Sequence, residues 1–375
     1  MHRLLDPLLF IILAAALSAA PLERVPRFKA QHVVVASAEL PDWRYLAFPA
    51  LLDRGDEILV SFKRARSHAQ DPGAALELLR LDPVSGRALG RQMLAKLEGH
   101  IMQLGEWVRF SNGDIANYID AQVAGPRTTR AGLRSVRSAD GGKTFGPLER
   151  VGIIDGVEYG YAFDAIVEGR ATWMLVMTFS NLPGAKPAPK ARAPAGSVDV
   201  IRSDDNGHTW HFVRNLSHEF GDVPINESAF IRHGDGFLVT TRGYDNRQRL
   251  HLTDAAFCVL RQTDLTATHA FIKSHVGRPR LFVRGGQVYL LGRNMSVSGR
   301  PMQLGLFRID VGALAVSSYA VLDNAEYEPV TDGYYAMPWF RGSGSDTLLH
   351  VVTYKGRNSR PPDIIHLEFR WDEVK

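Results

Sequence analysis

The chain almost lacks cysteine: Cys258 is the only one in 375 residues. An intrachain disulfide is therefore excluded, and packing and hydrogen bonds must hold the fold. A membrane-spanning run is also missing. The N-terminal apolar stretch, Leu8 to Ala20 (LLFIILAAALSAA), falls short of the roughly 20 residues a helix needs to cross a bilayer. It lies behind His2 and Arg3 and ends in small residues, which is the layout of a secretory signal peptide. The expected organisation is a signal segment over 1–20 and one domain over 21–375, secreted or periplasmic, with no membrane span after cleavage. No cysteine follows the apolar run, which argues against a lipoprotein. Export without disulfides fits a bacterial route.

Clustered charge is scarce as well. The net charge of +4 and pI of about 9.1 reflect a mild basic excess without a basic, aromatic-rich stripe. Nucleic acid is therefore not an expected partner, while a mild excess favours acidic substrates without requiring them. The most basic proline-rich stretch, Pro183 to Ala195, reads as a surface loop. No H-x-H, H-E-x-x-H or clustered-carboxylate spacing occurs, so neither a metal nor any other cofactor is expected. The N-x-S sequons at Asn215, Asn226 and Asn294 are at the level of chance.

Long helical periodicity is missing after residue 20. Short β-rich runs fill the space instead: Glu57 to Phe62, Thr172 to Phe179, Gly236 to Thr241, Gln287 to Leu291 and Thr347 to Tyr354, several of them behind a Gly-containing turn. Two segments repeat a pattern 65 residues apart. Ser138-Ala-Asp140-Gly-Gly142-Lys-Thr144-Phe145 and Ser203-Asp-Asp205-Asn-Gly207-His-Thr209-Trp210 both read S-x-D-x-G-x-T-aromatic. The Asp side chain accepts turn amides, Gly supplies the positive φ, and the aromatic packs beneath. Weaker echoes occur at Asp82, Asp264 and Asp310. Such a period marks a repeat architecture. With His32 to Ser37 closing the ring, about six blades are expected: an all-β, six-bladed β-propeller.

The two repeats resemble the Asp boxes of the sialidase superfamily, whose propellers they characterise, and further segments over about 40–370 are similar to sialidases too. The resemblance implies an exo-glycoside hydrolase acting on an acidic or polar terminal sugar of a glycan, working as a monomer. In the first blade it implies Asp71 as general acid, with His68 sharing or tuning that role. Asn226-Glu227-Ser228 followed by a hairpin to Arg242 resembles the segment carrying the base and a substrate-gripping arginine, which implies those roles for Glu227 and Arg242. Asp332-Gly-Tyr334-Tyr335 resembles the strand bearing the tyrosine nucleophile, with Tyr335 favoured by spacing and Tyr334 as alternative. Arg300 is the better match to the third arginine, and Arg293 the alternative. The first arginine of that triad should stand two residues before Pro49, and the residue there is Ala47. Arg44 is the nearest replacement, with Lys63 and Arg64 beyond. A displaced charge does not copy a bidentate arginine–carboxylate pair, so sialic acid itself is called into question. In blade three, Glu158 to Asp164 places Tyr159 and Tyr161 where they would either stack on sugar or pack between blades.

Two other functions fit the same residues. A non-catalytic propeller that binds glycans or a protein requires no convergence of Asp71, Glu227 and Tyr335. A polysaccharide lyase on this fold would use His68 and Tyr335.

Overall fold

The structure, a computed structural model, describes residues 22–125, 129–178, 197–269, 271–272, 274–295 and 302–375. The expected signal segment, the Pro183 to Ala195 stretch and Arg300 lie outside these residues. Among those described, no helix is long and apolar enough to cross a membrane.

Six small antiparallel sheets form a six-bladed β-propeller, as the repeats predict. Blade one runs Tyr45–Asp53, Ile58–Ala65, Ala75–Leu81 and Ala88–Ala95; blade two starts at His100–Arg109, blade three with the pair Ile153–Ile154 and Val157–Glu168, blade four at Ile225–His233 and blade five at Val276–Arg284. Blade six is discontinuous in sequence. Its first strand is broken into Val330–Gly333 and Met337–Arg341, both paired with Leu348–Arg357, and Asp363–Arg370 follows. The N-terminal strand Ala30–Val35 then pairs with Asp363–Arg370 and closes the ring. A shorter segment, Leu22–Arg24, adds in parallel to the outer edge of blade five.

The connection from third to fourth strand is built alike in five blades. In both S-x-D-x-G-x-T segments the Asp carboxylate takes the amides three and four residues on, as at Asp140 (Lys143 at 3.0 Å, Thr144 at 2.9 Å) and Asp205 (His208 at 3.0 Å, Thr209 at 2.9 Å). Gly142 and Gly207 have φ of +91° and +80°, so glycine is the fitting residue there. Phe145 and Trp210 pack on Trp107 and Tyr118 beneath. Asp82 and Asp310 cap the same connection in blades one and five. The echo expected at Asp264 is a different device: that residue caps the short helix Leu265–Thr268. The blade-four counterpart is Asp254, which accepts the amides of Ala256 and Cys258. Its surroundings, Asp-Ala-Ala-Phe-Cys, carry neither the Gly nor the Thr that marks the pattern.

Each blade's inner strand carries an irregularity in register, between Ala47 and Ala50, Met102 and Leu104, Tyr159 and Tyr161, Ile225 and Ser228, Gly277 and Arg280, and Val330 and Asp332. Bulges re-aim side chains. Two of them hold a non-glycine residue at positive φ, Phe48 (+56°) and Arg278 (+45°), and Tyr334 (+67°) stands in the break between the two half-strands of blade six. Such strain persists only where surrounding structure enforces it, and it gathers at functional sites.

Candidate functional site

Near these irregularities polar side chains from several blades meet at a common centre. Glu227 and Arg242 sit on neighbouring strands of blade four, and the bulge beside Ile225 brings them together: Arg242 Nη1 donates to Glu227 Oε2 at 2.5 Å. Tyr161 of blade three donates to the other carboxylate oxygen at 3.0 Å. The backbone amide of Arg278 in blade five donates to Oε2 at 2.9 Å, which its left-handed conformation permits. Tyr335 arrives from the break in blade six. Its hydroxyl accepts from Arg242 Nη1 at 3.4 Å and Arg293 Nη2 at 3.3 Å. Arg293 also stacks its guanidinium over the Tyr335 ring, 4.6 Å from the centroid.

Burial would raise the Glu227 carboxyl, but Arg242, Arg278, Tyr335 and Arg293 hold it down at about 2. Burial and the Glu227 charge push Tyr335 up to about 12, against the pull of Arg293 and Arg242. At neutral pH the pair therefore stands as carboxylate and phenol. His275, buried between the charges of Arg242 and Arg293, is pushed down to about 3 and is neutral.

Below this centre lies an ionic floor. Glu106 of blade two takes Arg278 Nη2 and Arg280 Nη2, each at 2.5 Å, and Arg278 Nη1 reaches the Tyr161 hydroxyl at 2.8 Å. Four blades are thus tied at the axis by groups that are all at most 5% exposed. Removing one partner from such a network strands the other charges.

The blade-one side is different. Ala47 is buried, and the next residue, Phe48, turns its ring against Tyr335 (5.3 Å between centroids) and His68 (5.1 Å). Lys63, paired across from Ala47, is fully buried and donates to the His68 carbonyl and Gln103. Burial pulls it down to about 8. His68 Nδ1 lies 2.7 Å from the Asp332 carboxylate and 2.9 Å from the Tyr45 hydroxyl, and its ring is more than half exposed. Tyr45, Tyr354 and Arg293 also bond Asp332. Asp71 is 4% exposed beside Lys63, and its Oδ2 accepts the Arg66 amide at 2.5 Å, closing the loop that carries His68.

Glu227, Arg242, Arg293, Tyr335 and Tyr161 are thus brought together, with His68 one residue layer away across Phe48. Two of the expected residues stand elsewhere. Tyr334 faces the opposite way: its hydroxyl bonds Asp323 and its ring fills the blade-five/blade-six core, because the strained turn between the two half-strands sends adjacent tyrosines to opposite sides. Arg44 is exposed on the loop before blade one, and its Nε donates to the Leu40 carbonyl. Of the two alternatives for the third arginine, Arg293 reaches Tyr335. Tyr159 bonds Asp199 away from the centre.

Sequence reading missed Glu106, Arg278, Asp332 and Asp120. Glu106 carried a signal, a lone acid inside an apolar inner strand. Asp120, buried and salt-bridged to Arg130 at 2.9 Å, is raised by burial to about 6. Tyr244 was missed also; its exposed ring stands near enough to Arg130, Arg242 and Glu227 to feel their charges.

No protein-family model matches the chain, and no curated protein matches it. Solved structures do. A protein of unknown function from Dyadobacter fermentans DSM 18053 aligns with TM-score 0.69 at 14% identity, over 93% of this chain and 99% of that one. The NanB sialidase from Streptococcus pneumoniae aligns with TM-score 0.58 at 7% identity, over 94% and 71%. The sialidase of Trypanosoma rangeli, in complex with 2,3-difluorosialic acid as a covalent intermediate, aligns with TM-score 0.53 at 9% identity, over 88% and 55%. The chain shares its fold with sialidases. At these identities the likeness concerns architecture alone.

Proposed function

We propose that the chain is an exo-acting glycoside hydrolase for an acidic or strongly polar terminal sugar, with Tyr335 as nucleophile and Glu227 as its base. The observation that carries this is the meeting of a buried phenol, a buried carboxylate and two guanidiniums at one point on the propeller axis. Tyrosine nucleophiles are the sialidase exception among glycosidases. An anomeric carbon beside a carboxylate repels an anionic nucleophile. A phenol stays neutral until it attacks, and Glu227 takes its proton as the bond forms. Arg242 and Arg293 hold the substrate's anionic group, preorganised by their own contacts with Glu227 and Asp332.

Protonation of the leaving oxygen, and later activation of water, is assigned to the loop 66–71. Asp71 is the carboxylic acid of that loop, and His68, backed by Asp332, is the group on its exposed side. The Phe48 ring and Ala47, where the resemblance implies the first arginine of the triad, favour a substrate gripped by two guanidiniums against an apolar wall. This supports an acidic sugar other than sialic acid.

One observation favours a second reading. His68 and Tyr335 flank the same Phe48 ring, a spacing suited to a lyase that abstracts a proton next to a carboxylate. The discriminating experiment incubates the protein, Glu227→Gln and Tyr335→Phe with 4-methylumbelliferyl glycosides of acidic and neutral sugars, and with acidic polysaccharides under ultraviolet detection. Fluorophore release from an acidic glycoside, lost in both variants, supports the hydrolase. An unsaturated product without glycoside turnover supports the lyase, and silence in both assays supports a binding propeller.

A further inference from the structure

A second polar cluster lies far from the axis, on the face of blade six that meets blade one. His350 pairs across from Glu368, and His366, two residues before Glu368, pairs across from His32. Alternate strand residues share a face, so all four project to the same side. His350, His366 and Glu368 are each at most 6% exposed. The indole of Trp339 stacks on both imidazoles, and its Nε1 donates to the Pro83 carbonyl of blade one.

We propose that His350 Nδ1, His366 Nε2 and Glu368 Oε2 form a binding site for a zinc-class divalent transition-metal ion at the closure of the ring. The three donor atoms lie within 4.8 Å of one another. The His350–His366 nitrogens are 3.0 Å apart, and His350 Nδ1 is 3.7 Å from Glu368 Oε2. Tetrahedral zinc with bonds of about 2.0–2.2 Å separates its ligands by about 3.3–3.5 Å, so the observed spacings bracket the required one.

The surroundings suit a metal. Outer contacts orient the donors, as they do around metal ligands generally. Glu368 Oε1 is held by Lys29 at 2.6 Å, leaving Oε2 turned to His350. His366 Nδ1 faces His32 at 3.5 Å, and His32 Nε2 lies 3.1 Å from the Gly86 carbonyl. Gly86 makes the space: a Cβ there would stand 2.4 Å from the His366 ring. In the bare fold His350 Nδ1 and His366 Nε2 share a hydrogen bond at 3.0 Å, which coordination of both nitrogens to one ion would replace. Two imidazoles select zinc, copper, nickel or cobalt over calcium and magnesium. Neither sequence motif nor spacing reveals the site, since His350 and His366 stand 16 residues apart on two strands and meet only in the sheet.

The ion would clasp the strands next to Ala30–Val35, the segment that closes the propeller. The test uses the full-length protein stripped with a chelator and checked for folding by circular dichroism. Titration with zinc chloride followed by calorimetry should show one equivalent bound and a higher melting temperature, and cobalt chloride should give the visible bands of four-coordinate cobalt. His366→Gln and Glu368→Gln should weaken binding at least about 100-fold, whereas substitution of the exposed His218 should not. Because the folded unsubstituted protein is itself measured, a failure of variants to fold does not obscure the result. Stripped, folded protein that binds neither zinc nor cobalt stoichiometrically overturns the proposal, as does binding that survives both substitutions.

Discussion

The Glu227 carboxylate and the Tyr335 hydroxyl are bridged by a single nitrogen, Arg242 Nη1, at 2.5 Å and 3.4 Å. They come from blades four and six, and the Glu227 charge acts on the Tyr335 hydroxyl. Arg242, with Arg278 and Arg293, holds the base ionised, while burial and the Glu227 charge keep the phenol protonated against the pull of Arg293 and Arg242. Glu227→Gln and Tyr335→Phe should each lower kcat by roughly 10²–10⁴. The double variant should lose little more than the worse single one, since residues acting as a unit are not additive. Losses that multiply would mean that the two act separately.

Arg293 should decide for acidic sugars. Arg293→Lys keeps a charge but loses the planar fork that grips a carboxylate. Its kcat/KM for an acidic glycoside should fall roughly 10- to 100-fold, corresponding to about 1.5–3 kcal/mol for a charged hydrogen bond. The fall for a neutral glycoside should be smaller. Equal losses on both, measured side by side, would place Arg293 in tyrosine positioning alone.

The proton donor can be found through the leaving group. An acid matters most when the departing oxygen is a poor leaving group. Asp71→Asn and His68→Gln should therefore be compared on an aryl glycoside and on a natural disaccharide of the same sugar. The true donor's variant should lose at least about 10-fold more on the disaccharide than on the aryl substrate. Asp71, whose Oδ2 also closes the 66–71 loop, should in addition show a lowered melting temperature.

The fold was legible because its information is local. Asp140 and Asp205 write the third turn of their blades in eight residues each, and the β-rich runs between glycine turns supply the strands. Asp254 was missed because its turn does the same work with Ala256 and Cys258 where the pattern has Gly and Thr. Glu227, Arg242 and Tyr335 were legible through resemblance to a family, not through composition. What could not be read was set by backbone conformation. The positive φ of Tyr334 decides which tyrosine faces Glu227, and that of Arg278 turns its amide onto the carboxylate. Glu106 and Asp332 are placed by contacts between distant blades, which no local pattern encodes.

Acid should weaken the fold through its buried histidines. His251 is fully buried, stacked on Phe220, and pushed by burial to about 3 from an ordinary 6.5. Between those values the unfolded chain binds a proton that the folded one refuses, so this contribution is intact above about pH 6.5 and is lost as pH falls. Asp120 and Asp164, raised by burial to about 6 and about 7, act in the opposite sense. The contribution of His251 therefore shows best as a difference. From pH 7 to pH 5 the protein should lose about 2 kcal/mol more than His251→Gln does in denaturant titrations. Parallel curves would mean that His251 is protonated in the fold.

The central claim is that Tyr335 forms the bond to the sugar, and the most direct measurement is peptide mapping by mass spectrometry after reaction with a fluorinated analogue of the acidic glycoside that the protein turns over. The account predicts one sugar equivalent on the peptide containing Tyr335, absent in Tyr335→Phe. Hydrolysis of the parent glycoside with the label on another residue, or with undiminished turnover by Tyr335→Phe, would contradict it.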